Sequence, residues 1–342
     1  MNNLIFIGPL RQGQTPRGGD TMKNTLFLKR FREVFKKVYV VDTIDWRKKP
    51  FIIVKMLWYL TFIHNAKVVI SCEEGASRII DFLYYIRLQK DVFYWVVGSG
   101  FPTRIANGSS SPKHYSFLKK IMVQSHNMVK SLNEAGLNNV LYVPNSKPIY
   151  DIPIEQHCGR IRFVFLSRIL PEKGIEQIFG SVERLNAEGM KDDFEIDFYG
   201  MVGEKYFTFE ERVETIPNVT YRGVLDLTKE EGYQKLAIYD AMLFPTFYEG
   251  EGFPGVFIDA FISALPVIAS DWHCNTEIIE DKKTGFIIPP KDEEALYDKM
   301  KMVIKHREIL LPMKLACKKE AKKYDRNNIL NEANLQRIGL LE

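Results

Sequence analysis

Through most of the chain, short apolar runs rich in β-branched and aromatic side chains alternate with longer stretches whose apolar positions recur at helical spacing. That alternation is the pattern of parallel α/β units, in which strands buried on both faces are joined by crossover helices. In the first half it predicts strands near Leu4–Gly8, Val38–Asp42, Val68–Cys72, Phe93–Val97, Ile121–Gln124 and Val140–Val143. Between the first two, Phe27, Phe31, Val34 and Phe35 keep one face of a helix apolar. Six strands suffice for one doubly wound sheet. Pro144, Pro148 and Pro153 then break the pattern, because proline fits neither a helix interior nor a central strand. A second series follows, with strands at Arg162–Leu166, Glu195–Tyr199, Val219–Tyr221, Ala241–Phe244, Pro266–Ala269 and Gly285–Ile288. Ile175, Ile178, Phe179, Val182 and Leu185 mark an amphipathic helix, and a helix from Glu293 to His306 closes the series. The expected organisation is a Rossmann-like domain at 1–148, a linker at 149–160, a second Rossmann-like domain at 161–318, and a polar helical tail at 319–342 that can pack back on the first domain.

Bulk composition changes this picture little. With 342 residues, 46% hydrophobic and 26% charged, the chain reads as an ordinary two-domain globular protein. Cys72, Cys158, Cys274 and Cys317 form no CxxC pair and no metal-ligand spacing, so reduced thiols in the cytoplasm and no metal site are expected. The N-terminus enters a strand directly and lacks the basic segment and cleavage site of a signal peptide.

Two features point to a surface partner. Phe51–Ile63 is the most apolar segment, but thirteen residues with Lys55 inside are too short to span a bilayer. It reads either as a buried core helix or as a helix lying on a membrane surface. Charge is also uneven: residues 1–150 hold 22 Lys/Arg against 9 Asp/Glu, and residues 151–342 hold 25 against 34. A basic first half suits an anionic partner, such as the lipid headgroups at the inner face of the cell membrane or a diphosphate-linked lipid, or else it is a solvated face. Nucleic acid is not expected, because the cations are dispersed and no nucleic-acid-binding motif occurs.

The chemistry-bearing residues concentrate in two loops of the second half. In RIRFVFLSRILPEKGIEQIF a strand ends at Leu166, the loop carries Ser167, Arg168 and Lys173, and a helix starts near Gly174. Two cations beside the unpaired N–H groups of a helix start make a diphosphate site, or the segment is only a polar turn. In DAMLFPTFYEGEGFPGVFIDAF the loop Thr246–Gly255 holds Glu249 and Glu251, a helix begins near Val256, and Asp259 is expected in its first turn. Helix amides there can bind phosphate, and the acids can accept hydrogen bonds from hydroxyls.

These segments resemble the retaining glycosyltransferase family 4, also called glycosyl transferases group 1, whose fold is GT-B. The motifs are Ser167-Arg168-Ile169-Leu170-Pro171-Glu172-Lys173-Gly174 and Glu251-Gly252-Phe253-Pro254-Gly255-Val256-Phe257-Ile258-Asp259-Ala260, with the acids at E-x7-E spacing. Leu265–Asp271, Glu277–Ile279 and Thr284–Pro290 add to the likeness, which covers roughly residues 140–300 and is weak over the first 120. The resemblance implies two Rossmann-like doubly wound domains facing across a cleft. It implies that Arg168 and Lys173 hold the donor diphosphate, that Glu251 binds donor-sugar hydroxyls, that the amides of Phe253, Pro254, Gly255 and Val256 line the sugar and phosphate, and that Asp259 binds the ribose. Proline has no N–H, so at Pro254 the contact falls to the rest of its backbone.

It also implies a donor of UDP or GDP type as substrate, no separate cofactor, retention of configuration and metal independence. The acceptor would be a glycan or a polyprenyl-diphosphate-linked glycan, as in cell-envelope or capsular polysaccharide synthesis. Two departures stand out: Asp259 is one methylene shorter than the usual Glu, and Glu249 lies close enough to share a role. In the first half, Gly13, Gly18 and Gly19, with Arg11, Arg17 and Lys23 nearby, are expected to form a mobile loop near the donor phosphates and acceptor. The region Val96–Pro102 lacks the histidine many family members carry there, and His114 and His126 are expected to be ordinary surface or helix residues. A Rossmann oxidoreductase is disfavoured because no G-x-G-x-x-G turn follows either first strand. A GT-B phosphorylase or epimerase fits the acid spacing less well. A catalytically inactive GT-B subunit that binds a nucleotide or a partner protein remains the alternative.

Overall fold

Every strand expected from the apolar pattern is present, with ends shifted by no more than about two residues. The computed structural model describes residues 3–10, 19–73, 75–154 and 158–342. They form two units, Met1–Lys147 with Arg326–Glu342, and Pro148–Asp325.

In the first unit the strands are β1 (Asn3–Gly8), β2 (Lys37–Asp42), β3 (Ala66–Ile70), β4 (Val92–Trp95), β5 (Lys120–Val123) and β6 (Val140–Tyr142). They lie in the order β2-β1-β3-β4-β5-β6, and every pairing is parallel. Helices α1 (Gly19–Val34), α2 (Phe51–Phe62), α3 (Ala76–Tyr85), α4 (Gly100–Ala106) and α5 (His126–Glu134) make the crossovers. Strand periodicity sends Leu4 and Phe6 to one face and Ile5 and Ile7 to the other, and both faces are fully buried. Phe27 and Phe31 of α1 cover the first face. Leu330, Leu335, Ile338 and Leu340 of the C-terminal segment complete that cover, none of them exposed. Four such side chains contribute about 6–12 kcal/mol as an upper estimate of apolar burial. Lys67 Nζ donates to Gly339 O at 2.8 Å, and Arg30 Nε to Leu330 O at 2.9 Å, so the segment is also held by its backbone.

The second unit carries β7 (Ile161–Leu166), β8 (Phe194–Tyr199), β9 (Val219–Tyr221), β10 (Ala241–Phe244), β11 (Val267–Ser270) and β12 (Gly285–Ile288). Their order is β12-β11-β10-β7-β8-β9, again all parallel. Counted within the unit this is the 3-2-1-4-5-6 order of the Rossmann fold. Helices α6 (Ile175–Ala187), α7 (Phe209–Thr215), α8 (Glu230–Ala237) and α9 (Gly255–Ile262) flank the sheet. Phe163 and Phe165 face one apolar core while Val164 and Leu166 face the other.

Segment Phe51–Ile63 is a core helix on one side only. Met56, Leu60 and Ile63 are buried, whereas Phe51, Val54, Trp58 and Phe62 are more than half exposed. Hydropathy summed along the segment does not separate these faces, because both are apolar. No helix among the described residues is long and apolar enough to cross a membrane.

Candidate active site

Strand order in the second sheet reverses between β7 and β10, and loops that leave such a pair diverge and open a crevice at the strands' carboxyl ends. Both chemistry-bearing loops leave from there. After β7, Ser167 N–H donates to Tyr199 O at 3.1 Å, and Ile169 bridges to Val202, so the loop first runs on beside its neighbour. Pro171 then opens a single 3₁₀ turn, Pro171–Lys173, where its missing N–H costs nothing.

Gly174, at φ +81°, turns the chain into α6. A β-carbon on Gly174 would stand 2.2 Å from Pro245 O, so only glycine lets this loop rest on the one after β10. The two loops are joined there: Phe247 N–H donates to Glu172 O at 2.8 Å, and Thr246 Oγ1 reaches the same carbonyl at 3.4 Å. Gly174→Ala is expected to destabilise the protein by about 2–3 kcal/mol, read as a lower urea midpoint. Gly189→Ala is the control. It shares the left-handed backbone, at φ +84°, but its β-carbon meets open space, so it is expected to cost about 1 kcal/mol.

This contact sets the charged groups. Lys173 is 3% exposed, and its Nζ forms a tight ion pair with Glu251 Oε2. Thr246 Oγ1 donates to the same carboxylate oxygen at 3.3 Å. Lys173 Nζ also lies 4.9 Å from the centre of the Tyr248 ring, and the Arg168 guanidinium 5.4 Å from that centre. Burial pushes the Lys173 ammonium below the ordinary lysine range; Glu251 opposes this and Arg168 adds to it. Arg168 itself is exposed. The site therefore holds one solvent-facing cation and one buried, counterion-paired cation about a single aromatic ring.

Tyr248 is itself anchored. Its N–H donates to Thr246 Oγ1 at 3.2 Å, its carbonyl accepts from Trp272 Nε1 at 2.9 Å, and Glu251 N–H closes a turn onto the same carbonyl at 3.0 Å. Farther along, Phe253 and Pro254 are buried, Gly255 and Val256 are half-buried, and α9 starts at Gly255 with no side-chain cap. Its first N–H groups are of the kind that anions engage. Glu249 is exposed at the outer end of the loop.

Asp259 departs from the sequence expectation: it is the fifth residue of α9, past the first turn, and it is 1% exposed. Its side chain is turned to the inner face of the helix. There Tyr233 Oη donates to Asp259 Oδ1 at 3.0 Å. Burial, and then the carboxylate, push the Tyr233 hydroxyl well above its ordinary range.

Arg168, Lys173 and Glu251 thus share one place in the fold, with Ser167 and Phe253–Val256 on the same pair of loops. Gly19 belongs to the other unit, where it opens α1. Gly18, with Arg11, Gly13 and Arg17, lies outside the described residues. His114 pairs with Asp81 at 2.7 Å and stacks on Tyr84, and His126 stacks on Tyr142 at the start of α5.

With this geometry in view, comparison with known proteins is specific for the second half. Residues 160–306 match the family model described as Glycosyl transferases group 1. The matched residues take in both loops and all of the second sheet. The whole chain has the GT-B fold. HepE of Anabaena, solved in complex with UDP, superposes with a TM-score of 0.75 over 99% of this chain and 100% of its own, at 11% identity. Sucrose-phosphate synthase of Thermosynechococcus elongatus gives 0.77 over 99% of each chain at 12% identity. The lipopolysaccharide outer core galactosyltransferase WaaB, in its apo form, gives 0.71 over 99% of this chain and 100% of its own, at 14% identity. No curated protein sequence matches the chain.

Several residues of the matched region escape a reading by motif. Tyr248 directly precedes the acidic pair in sequence, and an aromatic in that position was a usable signal. Trp272 and Tyr233 gave none, since each acts through a partner more than twenty residues away. The first sheet has its own reversal, between β1 and β3. Asn24 Nδ2 there donates to Ser71 O at 2.8 Å, and Ser71 Oγ to Asn24 Oδ1 at 2.6 Å. Beside them Lys23, 7% exposed, donates to Val96 O at 3.1 Å. Burial lowers its pKa to about 7, against the raising fields of Asp20, Cys72 and Glu73. Gly98, at φ +70°, makes room for Glu73, whose Oε1 would stand 2.6 Å from a β-carbon at that position.

Proposed function

We propose that this chain is a retaining glycosyltransferase that moves a sugar from a nucleoside-diphosphate sugar to a glycan or polyprenyl-diphosphate-linked acceptor, in cell-envelope or capsular polysaccharide synthesis at the cytoplasmic face of the membrane. The observation that carries the reading is the placing of Arg168, Lys173 and Glu251 about Tyr248 at the carboxyl ends of β7 and β10. In the reaction, the bond from the anomeric carbon to the donor diphosphate breaks and a bond from that carbon to the acceptor hydroxyl oxygen forms. The hydroxyl proton passes to the leaving phosphate oxygen on the same face of the sugar. Negative charge grows on the diphosphate, and stabilising it is the demanding task. Arg168, Lys173 and the first amides of α9 supply that stabilisation in place of a metal ion. Glu251 accepts hydrogen bonds from sugar hydroxyls, held in position by Lys173 and Thr246.

UDP is the first nucleotide to test, because HepE was solved with UDP and with UDP-glucose. A preferred donor at 100 times its Kd is expected to stabilise the protein by about 2.7 kcal/mol, seen as a rise in Tm. Screening UDP-glucose, UDP-N-acetylglucosamine and GDP-mannose, then following transfer in excess EDTA, tests donor class and metal independence together. No rise with any of the three, or activity lost to EDTA and restored by magnesium, overturns the corresponding part. A second reading, a catalytically inactive GT-B subunit that binds a nucleotide or a partner protein, draws on Asp259, which is buried against Tyr233. It predicts a Tm rise with UDP and no sugar transfer.

A further inference from the structure

Of the fifteen large apolar side chains that stand exposed among the described residues, nine lie on α2 and at α3 or just after it, so the exposed apolar surface is concentrated in one region. Phe51, Val54, Trp58 and Phe62 are 63%, 65%, 51% and 59% exposed. Their spacing of three, four and four residues puts them in one stripe along the outer side of α2. The side facing the sheet is independently filled by Met56, Leu60 and Ile63. Between α2 and α3 the surface dips into an apolar groove of about 240 Å³, floored by Met56 and Ile79 and edged by Trp46, Leu57 and Phe82. Tyr85 and Ile86, 70% and 48% exposed, extend the apolar surface at the end of α3. A soluble face of this size and continuity is a sign of a partner.

Charge identifies the partner. Arg47, Lys48 and Lys49 are exposed in the turn that leads into α2, Lys55 is exposed within the stripe, and Arg78 edges the groove. Asp45 is the one acid between residues 43 and 72. An apolar stripe with an exposed tryptophan and a cationic rim is the chemistry of a helix lying in the headgroup region of an anionic bilayer. A second copy of the chain would bring a second cationic rim against the first.

We infer that α2, with the end of α3, docks this protein on anionic lipid bilayers, the stripe inserting among acyl chains and the cations meeting headgroups. The inference is independent of the nucleotide reading, since vesicle binding needs no sugar transfer. The test is sedimentation of the full chain with vesicles of phosphatidylcholine alone or mixed with phosphatidylglycerol. Binding is expected to the mixed vesicles and to weaken as salt rises. Lys48→Glu with Lys49→Glu is expected to lower the partition coefficient by more than about tenfold. Val54→Ser with Trp58→Ser is expected to lower it at least as far, with circular dichroism unchanged because both side chains are exposed. Should either variant fail to fold, quenching of the unaltered chain by brominated lipid decides, with Trp58→Phe removing most of the quenched signal. Equal binding to neutral vesicles, no binding, or no quenching overturns the inference. So does a concentration-dependent dimer that the same serine variants dissolve.

Discussion

Lys173→Ala is expected to lower kcat/KM for sugar transfer by about 30- to 1000-fold, which corresponds to about 2–4 kcal/mol of lost transition-state stabilisation. The size follows from where the ammonium sits. It is nearly enclosed, between the Phe244 and Tyr248 rings, and water is a poor substitute for it as the diphosphate takes up charge. The same change is expected to destabilise the unliganded protein, because it leaves the largely buried Glu251 carboxylate without its counterion. Adding Glu251→Gln to Lys173→Ala removes the stranded charge and is expected to recover stability in urea, while turnover stays low because the Glu251 carboxylate is lost as well. Recovery of both would mean that Lys173 acts only by holding the loop. Near-native turnover of a folded Lys173→Ala protein would remove the residue from the site.

A second large effect is expected from Lys23, through pH. Its pKa is about 7 in the folded protein against 10.5 for an unperturbed lysine, with burial as the main cause. Between those values the unfolded chain binds the extra proton and the folded one does not, so this group makes stability rise with pH from about 7 to about 10.5. Below about 7 both states are protonated, and the penalty is complete and constant. Integrated over the window, the change is on the order of 3–5 kcal/mol. Lys23→Met is expected to abolish this slope, and the difference between the two proteins isolates it from the titration of other groups. Parallel stability curves for Lys23→Met and the unaltered chain from pH 7 to pH 10 would show that the ammonium is solvated after all.

Strand positions were legible because a strand buried on both faces is a continuous apolar run, and twelve of them appear where such runs occur. The two charged loops were legible because their glycines, prolines and charges sit at strand-to-helix junctions, which are local in sequence. Less was legible at Asp259. Its place on α9 is local information, but its inward turn to meet Tyr233 comes from the packing of α8 against α9. The exposure of α2 was also hidden. Phe51–Ile63 is apolar on both sides, and only packing against the sheet selects Met56, Leu60 and Ile63 as the inner ones.

Sequence by itself determined the strands of the two parallel sheets and the residue types at the two loops, since each depends on neighbours within a few positions. Tertiary structure alone decided that Lys173 is paired with Glu251 and shares the Tyr248 ring with Arg168. Those contacts join groups up to 80 residues apart, and they exist because β10 is laid beside β7, which no local pattern specifies. The pairing also rests on Gly174 passing against Pro245 with no room for a side chain. A glycine in a turn is easy to see in the sequence, but the surface it must clear becomes visible only when the chain has folded.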